Sequence, residues 1–136
     1  MSTIPEKFLL QIVTPERSHV YEEADEVLLP GSEGFFGVLP GHRPFISMLR
    51  TGEAIYRKGQ EAWKLVISGG FAEVLPDKVT VLADLAEKPE EIDIEKARRA
   101  LEAAAEHLRK PEDDFETHME AHDLAEARIK VSESGS

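Results

Sequence analysis

The residues best able to do chemistry are His118 and His122, four apart in a stretch of helical periodicity, so both imidazoles fall on one helix face at the spacing of zinc-protease ligands. A metalloprotease sets its glutamate beside the first histidine. Here Glu120 stands two positions on, rotated by about 200° around the helix, and no third ligand is evident nearby in the sequence. A solvated polar face is therefore the expected role. The run Gly31-Ser32-Glu33-Gly34-Phe35-Phe36-Gly37 is rich enough in glycine to suggest a phosphate loop. It lacks the Lys-Ser/Thr ending, and strand-like Val38-Leu39 follows where a helix ought to start. The expectation is a loop between strands, with Phe35 or Phe36 exposed at its tip as a protein contact. His42, in Leu39-Pro40-Gly41-His42-Arg43-Pro44, lacks the second histidine that the His-x-His pair of a cupin-type metal site requires. No Ser/His/Asp set, nucleophile elbow or close carboxylate pair can be read either, which favours binding over catalysis.

Composition narrows the partners. The chain has 136 residues, enough for one domain or one small domain with an appendage, and its 27 acidic and 16 basic side chains leave a net charge of −11. That sign argues against DNA, RNA and anionic lipid, all of which are gripped chiefly by Lys and Arg. Without cysteine, disulfides, thiolate-held metals and thiol nucleophiles are excluded, and an intracellular compartment fits. The start, Met1-Ser2-Thr3-Ile4-Pro5-Glu6-Lys7, has neither the basic start nor the apolar core of a signal peptide. The longest apolar runs, Leu65-Val66-Ile67 and Val27-Leu28-Leu29, fall far short of the roughly 20 residues that cross a bilayer. Membrane association is expected only through another protein.

The elements that position these residues change character near Pro89. Eight of the nine glycines precede it and seven of the eight prolines lie at or before it, too closely spaced for helices of normal length. Strands are expected at 8–13, 26–29, 37–39, 53–57, 64–67, 71–75 and 79–83, with Phe8, Leu10 and Ile12 on one face and a hairpin turn at Pro76-Asp77. Their spacing is that of a β-sandwich or barrel. Beyond Pro89, Asp93 caps a helix whose stripe is Ile94, Ala97, Leu101, Ala104 and Leu108, with Pro111 as its stop. After the connection Glu112-Asp113-Asp114 a second helix is expected from about Phe115 to Lys130, forming an antiparallel hairpin. Its apolar residues divide between two sides, and Val131 onward reads as a frayed tail. The expected organisation is a sandwich domain at 1–88 and a helical hairpin with its tail at 89–136.

The stretch from Leu29 to Pro44, LPGSEGFFGVLPGHRP, strongly resembles the loop-and-strand signature of the epsilon subunits of bacterial and chloroplast rotary ATP synthases. Val13-Thr14-Pro15-Glu16-Arg17, Gly69-Gly70-Phe71-Ala72-Glu73-Val74, Val79-Thr80-Val81-Leu82-Ala83-Asp84 and Ile92-Asp93 match other segments of that family in order, so the resemblance spans roughly residues 7 to 131. It implies a ten-stranded β-sandwich followed by a helical hairpin, in a non-catalytic subunit. The sandwich would grip the gamma subunit and sit on the ring of c subunits. Glu33, Phe35, His42 and Arg43 would then face the ring and the foot of gamma, with Leu82 toward gamma. The hairpin would lie on the sandwich or extend along gamma to the alpha and beta subunits and inhibit ATP hydrolysis. The resemblance further implies a peripheral place on the cytoplasmic face of the bacterial inner membrane, ahead of the thylakoid, and no nucleic-acid partner.

No cofactor is expected. Family members that bind ATP at the hairpin carry Ile/Leu-Asp-x-x-Arg-Ala, whereas this chain reads Ile92-Asp93-Ile94-Glu95-Lys96-Ala97. Lys96 keeps the charge but loses the planar fork that holds phosphate in two bonds. Ala103 and Leu124 stand where further arginines belong, leaving Asp93, Lys96 and Arg128 as candidates for a weak nucleotide contact. The rival from another class is a metal- or sugar-binding β-sandwich protein with a helical tail.

Overall fold

The structure is a computed structural model, and it describes residues 5–110 and 114–134. Ten strands form two five-stranded sheets. They are β1 (Phe8–Val13), β2 (Ser18–Ala24), β3 (Glu26–Gly31), β4 (Gly34–Val38), β5 (Phe45–Met48), β6 (Gly52–Lys58), β7 (Glu61–Ser68), β8 (Phe71–Leu75), β9 (Lys78–Leu82) and β10 (Leu85–Glu87). One sheet runs β2-β1-β9-β8-β5 and the other β10-β7-β6-β3-β4. Every pairing is antiparallel except that of β1 with β9, which are parallel.

The core follows from alternation. Phe8, Leu10 and Ile12 of β1 point inward as expected and meet Val79 and Val81 of β9, Val27 and Leu29 of β3, and Leu65 and Ile67 of β7, all essentially without exposure. Fully burying each such aliphatic side chain contributes roughly 1.5–3 kcal/mol. Pro76-Asp77 is the two-residue turn between Leu75 and its partner Lys78.

Three strands were not read from the sequence: β2, β5 and β10. Residues 18–24 are mostly polar and residues 45–48 and 85–87 are short, so none carries enough period-two signal by itself. The strand expected at 37–39 begins instead at Gly34. Gly31 pairs with Gly34 around the turn Ser32-Glu33, which puts Phe35 and Phe36 on the strand and not at a loop tip. A Cβ at Gly31 would lie 2.7 Å from the Gly34 carbonyl oxygen, so this turn closes only with glycine there.

The chain leaves β10 through a 3₁₀ turn (Pro89–Glu91) and enters α1 (Ile94–Leu108), then α2 (Phe115–Ser134). Asp93 Oδ1 accepts the Lys96 backbone N–H at 3.1 Å, the cap its position predicted. Pro111 and the Glu112-Asp113 part of the connection lie outside the described residues. The expected stripe of α1 is confirmed: Ala97 and Ala104 are buried, while Ile94, Leu101 and Leu108 are half-buried.

The tail is corrected. α2 continues through Ser134, and Val131, expected to fray, is fully buried with Ala127 against Val66 of β7. Leu85, Ile92 and Leu124 flank that contact. Leu65, Val66 and Ile67 are consecutive strand residues and all three are buried, which requires cover on both faces of β7. The opposite sheet covers one face and α2 the other. α2 lies against β6 and β7 on one side and α1 on the other, which explains why its apolar residues form two weak stripes.

Candidate functional site

The residues assigned by resemblance gather on one end of the molecule. Glu33 in the β3–β4 turn, Phe35 on β4 and His42 in the β4–β5 connection line one depression of about 490 Å³, shared with Ile46 and Met48 of β5. Phe35 is 58% exposed, and the Arg50 guanidinium carbon lies 5.9 Å from its ring centre. His42 donates its Nδ1–H to the Arg43 carbonyl at 2.9 Å and rests its ring 5.0 Å from that of Phe45. That pair of contacts fixes the imidazole against the rim. Arg43 is exposed but lies outside the lining of the depression.

Leu82 is two strands away yet continuous with this rim. Met48 stands opposite Phe71, and Phe71 opposite Leu82, across β5, β8 and β9. All three point away from the core; Met48 is 61% and Leu82 40% exposed. The result is an apolar row across the open face of the first sheet, reaching the depression through Met48 and Ile46. Sequence reasoning missed Ile46, Met48 and Phe71. The alternating signal in Phe45-Ile46-Ser47-Met48 is only four residues long, and which half points outward is decided by which face of the sheet stays uncovered.

A glycine at the β8–β9 approach holds the row in register. Gly70, with φ of +89°, brings β8 so near the end of β9 that a Cβ would sit 1.9 Å from the Leu82 carbonyl oxygen and 2.8 Å from the Ala83 Cα. Both obstacles are backbone, so only glycine closes this crossing.

The three nucleotide candidates lie elsewhere, at the hairpin. The Asp93 carboxylate is engaged in capping α1, and the Lys96 side chain is exposed. Arg128 donates from Nε to Glu87 Oε1 at 2.7 Å and from Nη2 to Oε2 at 2.9 Å, so its fork already holds a carboxylate. A phosphate at Arg128 has to displace Glu87, and the planar donors of a nucleotide site are not otherwise supplied by these residues. Glu87, 41 positions from its partner, carries no signal in the sequence that could have identified it. His118, the other early candidate, stacks face to face on His107 of α1 with ring centres 4.4 Å apart, while His122 places Nδ1 3.3 Å from Asp123 Oδ1.

A two-sheet sandwich with helices laid over one sheet, an exposed apolar row on the other, and a rim at the end of the row where the edge strands β4 and β5 of the two sheets meet, has the geometry of a protein held by neighbouring proteins. The family described as ATP synthase, delta/epsilon chain, beta-sandwich domain matches residues 7–89. A chain of Syntrophobacter fumaroxidans named ATP synthase epsilon chain is 48% identical over 130 residues, covering 94% of this chain and 97% of that one. The epsilon chain of Geotalea daltonii is 44% identical, covering 93% and 94%. Among solved structures, a chain of the Euglena gracilis mitochondrial ATP synthase, imaged as OSCP, F1 and c-ring, superposes with a TM-score of 0.83 at 28% identity, covering 96% of this chain and 84% of that one. A chain of the Tetrahymena thermophila central stalk and c-ring shares the fold, with a TM-score of 0.57 at 12% identity over 96% of this chain and 97% of that one. The chain belongs to the delta/epsilon family of ATP synthase chains. It is thereby a subunit of a larger complex, and the rival reading as a metal- or sugar-binding sandwich is set aside.

Proposed function

We propose that this subunit is a non-catalytic part of the rotor, coupling the gamma shaft to the c ring on the cytoplasmic face of a bacterial inner membrane. The observation that carries the reading is the continuous apolar row Met48-Phe71-Leu82 joined to the rim of Glu33, Phe35 and His42. Gamma takes the row, and the ring together with the foot of gamma takes the rim and the neighbouring Arg43. An interface that must transmit torque without slipping needs apolar burial at its centre and polar groups at its edge, which is how these residues are distributed. The net charge of −11 fits protein partners better than lipid or nucleic acid.

The hairpin acts as a brake on ATP hydrolysis when it leaves the sandwich and reaches along gamma to the alpha and beta subunits. Nucleotide binds it weakly or not at all, because Lys96 lacks the fork and that of Arg128 is filled by Glu87. Calorimetry on the isolated chain tests this point, and micromolar ATP affinity would overturn it.

Copurification tests the coupling role. Phe35→Asp places a charge in the contact and should weaken capture of gamma and the c ring about tenfold or more, while the melting temperature of the isolated chain, in which Phe35 is largely exposed, barely moves. Unchanged capture by both Phe35→Asp and Leu82→Asp would sink the assignment of this surface.

A further inference from the structure

We infer that Glu87 and Arg128 form the latch that holds the hairpin on the sandwich, set so that it opens without unseating the linker. The apolar part of the docking contact is small. Val66, Ala127 and Val131 are its buried members, and α1 reaches the rest of the molecule mainly through α2. Small aliphatic surfaces attract without direction, so they tolerate sliding of the helix. The guanidinium of Arg128 does not: its two bonds to the two oxygens of Glu87, at 2.7 and 2.9 Å, exist in one register and one orientation of α2.

Burial sets how readily the pair parts. The side chains of Arg128 and Glu87 keep 28% and 23% of their surface exposed. Both ions regain full hydration when they separate, so the pair contributes geometry more than depth, as ion pairs in partly wet sites do. The linker is tied independently. Arg17, in the β1–β2 connection, pairs with Glu91 of the 3₁₀ turn, and Glu91 Oε1 also accepts the Lys88 backbone N–H at 3.0 Å. Glu87 is the last residue of β10, just before that anchored turn. Opening therefore breaks the Glu87–Arg128 pair and peels α2 from β7, while Arg17–Glu91 keeps the pivot in place.

The test uses the full chain, alone and assembled in the ATP synthase. Glu87→Gln and Arg128→Gln each remove one partner's charge, and the exchanged pair Glu87→Arg with Arg128→Glu restores it in reverse. In the isolated chain, amide hydrogen exchange across residues 124–133 should accelerate about threefold in each single variant and return most of the way in the exchanged pair, with β1 amides unchanged. Unaltered exchange in both single variants, or no recovery in the exchanged pair, overturns the latch. The assembled motor adds an arm that rests on the brake reading: the single variants should hydrolyse ATP more slowly and the exchanged pair should recover. Faster exchange in α2 with unchanged hydrolysis supports the latch and overturns the brake.

Discussion

Two titratable residues carry pH dependence that their surroundings explain. Asp25 accepts the Gly59 backbone N–H at 2.6 Å and the Lys7 ammonium at 2.9 Å, and these bonds, the first above all, hold its carboxyl below the ordinary value. Its stabilising effect is present above the unfolded-state pKa and is lost as pH falls through the folded one. Asp25→Asn should therefore lower the melting temperature at neutral pH, with a difference that closes in strong acid; a difference constant with pH would remove the charge as its cause. His19 loses stability in the same direction, as pH falls, but because its charged form is disfavoured rather than stabilised. Its Nε2 lies 2.8 Å from Thr14 Oγ1, its Nδ1 is buried without a partner, and burial, reinforced by Arg17, pushes its pKa down. Below the ordinary histidine value the unfolded chain takes up a proton that the folded chain refuses, so stability drops as pH falls from there toward the folded value. His19→Gln abolishes that drop, and melting curves from about pH 8 to pH 5 should be flatter for the variant than for the parent chain. Parallel curves would show that His19 ionises without penalty.

Among elements, β7 and α2 explain each other. Val66 would be an exposed valine on an open sheet were α2 absent, and Val131 would be a tail residue; together they make the third layer. Val131→Ala should weaken docking of α2 by about 1 to 2 kcal/mol, read as faster amide exchange in α2 with the sandwich amides unchanged. Equal acceleration in β1 would mean that helix and sandwich melt as one unit. The β8–β9 crossing is less forgiving. Gly70→Ala puts a methyl onto the backbone at Leu82 and requires a positive φ from alanine, so a loss of at least about 2 kcal/mol is expected in chemical denaturation. A neutral result would show that β8 has room to shift, and with it the Phe71–Leu82 pair.

For the whole molecule, the sandwich closes its own core. The buried cluster from Phe8 to Ala86 contains no residue of either helix. A chain ending at Lys88 is expected to keep its β-sheet circular dichroism and a cooperative melt and still capture gamma, at the cost of baring Val66 and Leu85 to water. A truncated chain without a cooperative transition would show that the hairpin is part of the folding unit. If the truncated chain instead folds but associates with itself, the bared face of β7 is the surface responsible.

Much of this was legible in the chain because it rests on local physics. Alternation placed Phe8, Leu10 and Ile12 inward, Asp93 marked the start of α1, Pro76-Asp77 marked a hairpin, and the order of the Leu29–Pro44 signature and its companion segments carried the family. Each depends on neighbours within a turn or a strand, where spacing is set by backbone geometry. What tertiary structure alone decided depends on contacts between residues far apart in the chain. The parallel pairing of β1 with β9, the outward row of Met48, Phe71 and Leu82, the burial of Val131 and the grip of Glu87 on Arg128 all arise only when one layer is laid upon another. A strand's two faces are equivalent until a second layer covers one of them, and a helix with two half-apolar sides shows no preference until something lies against each.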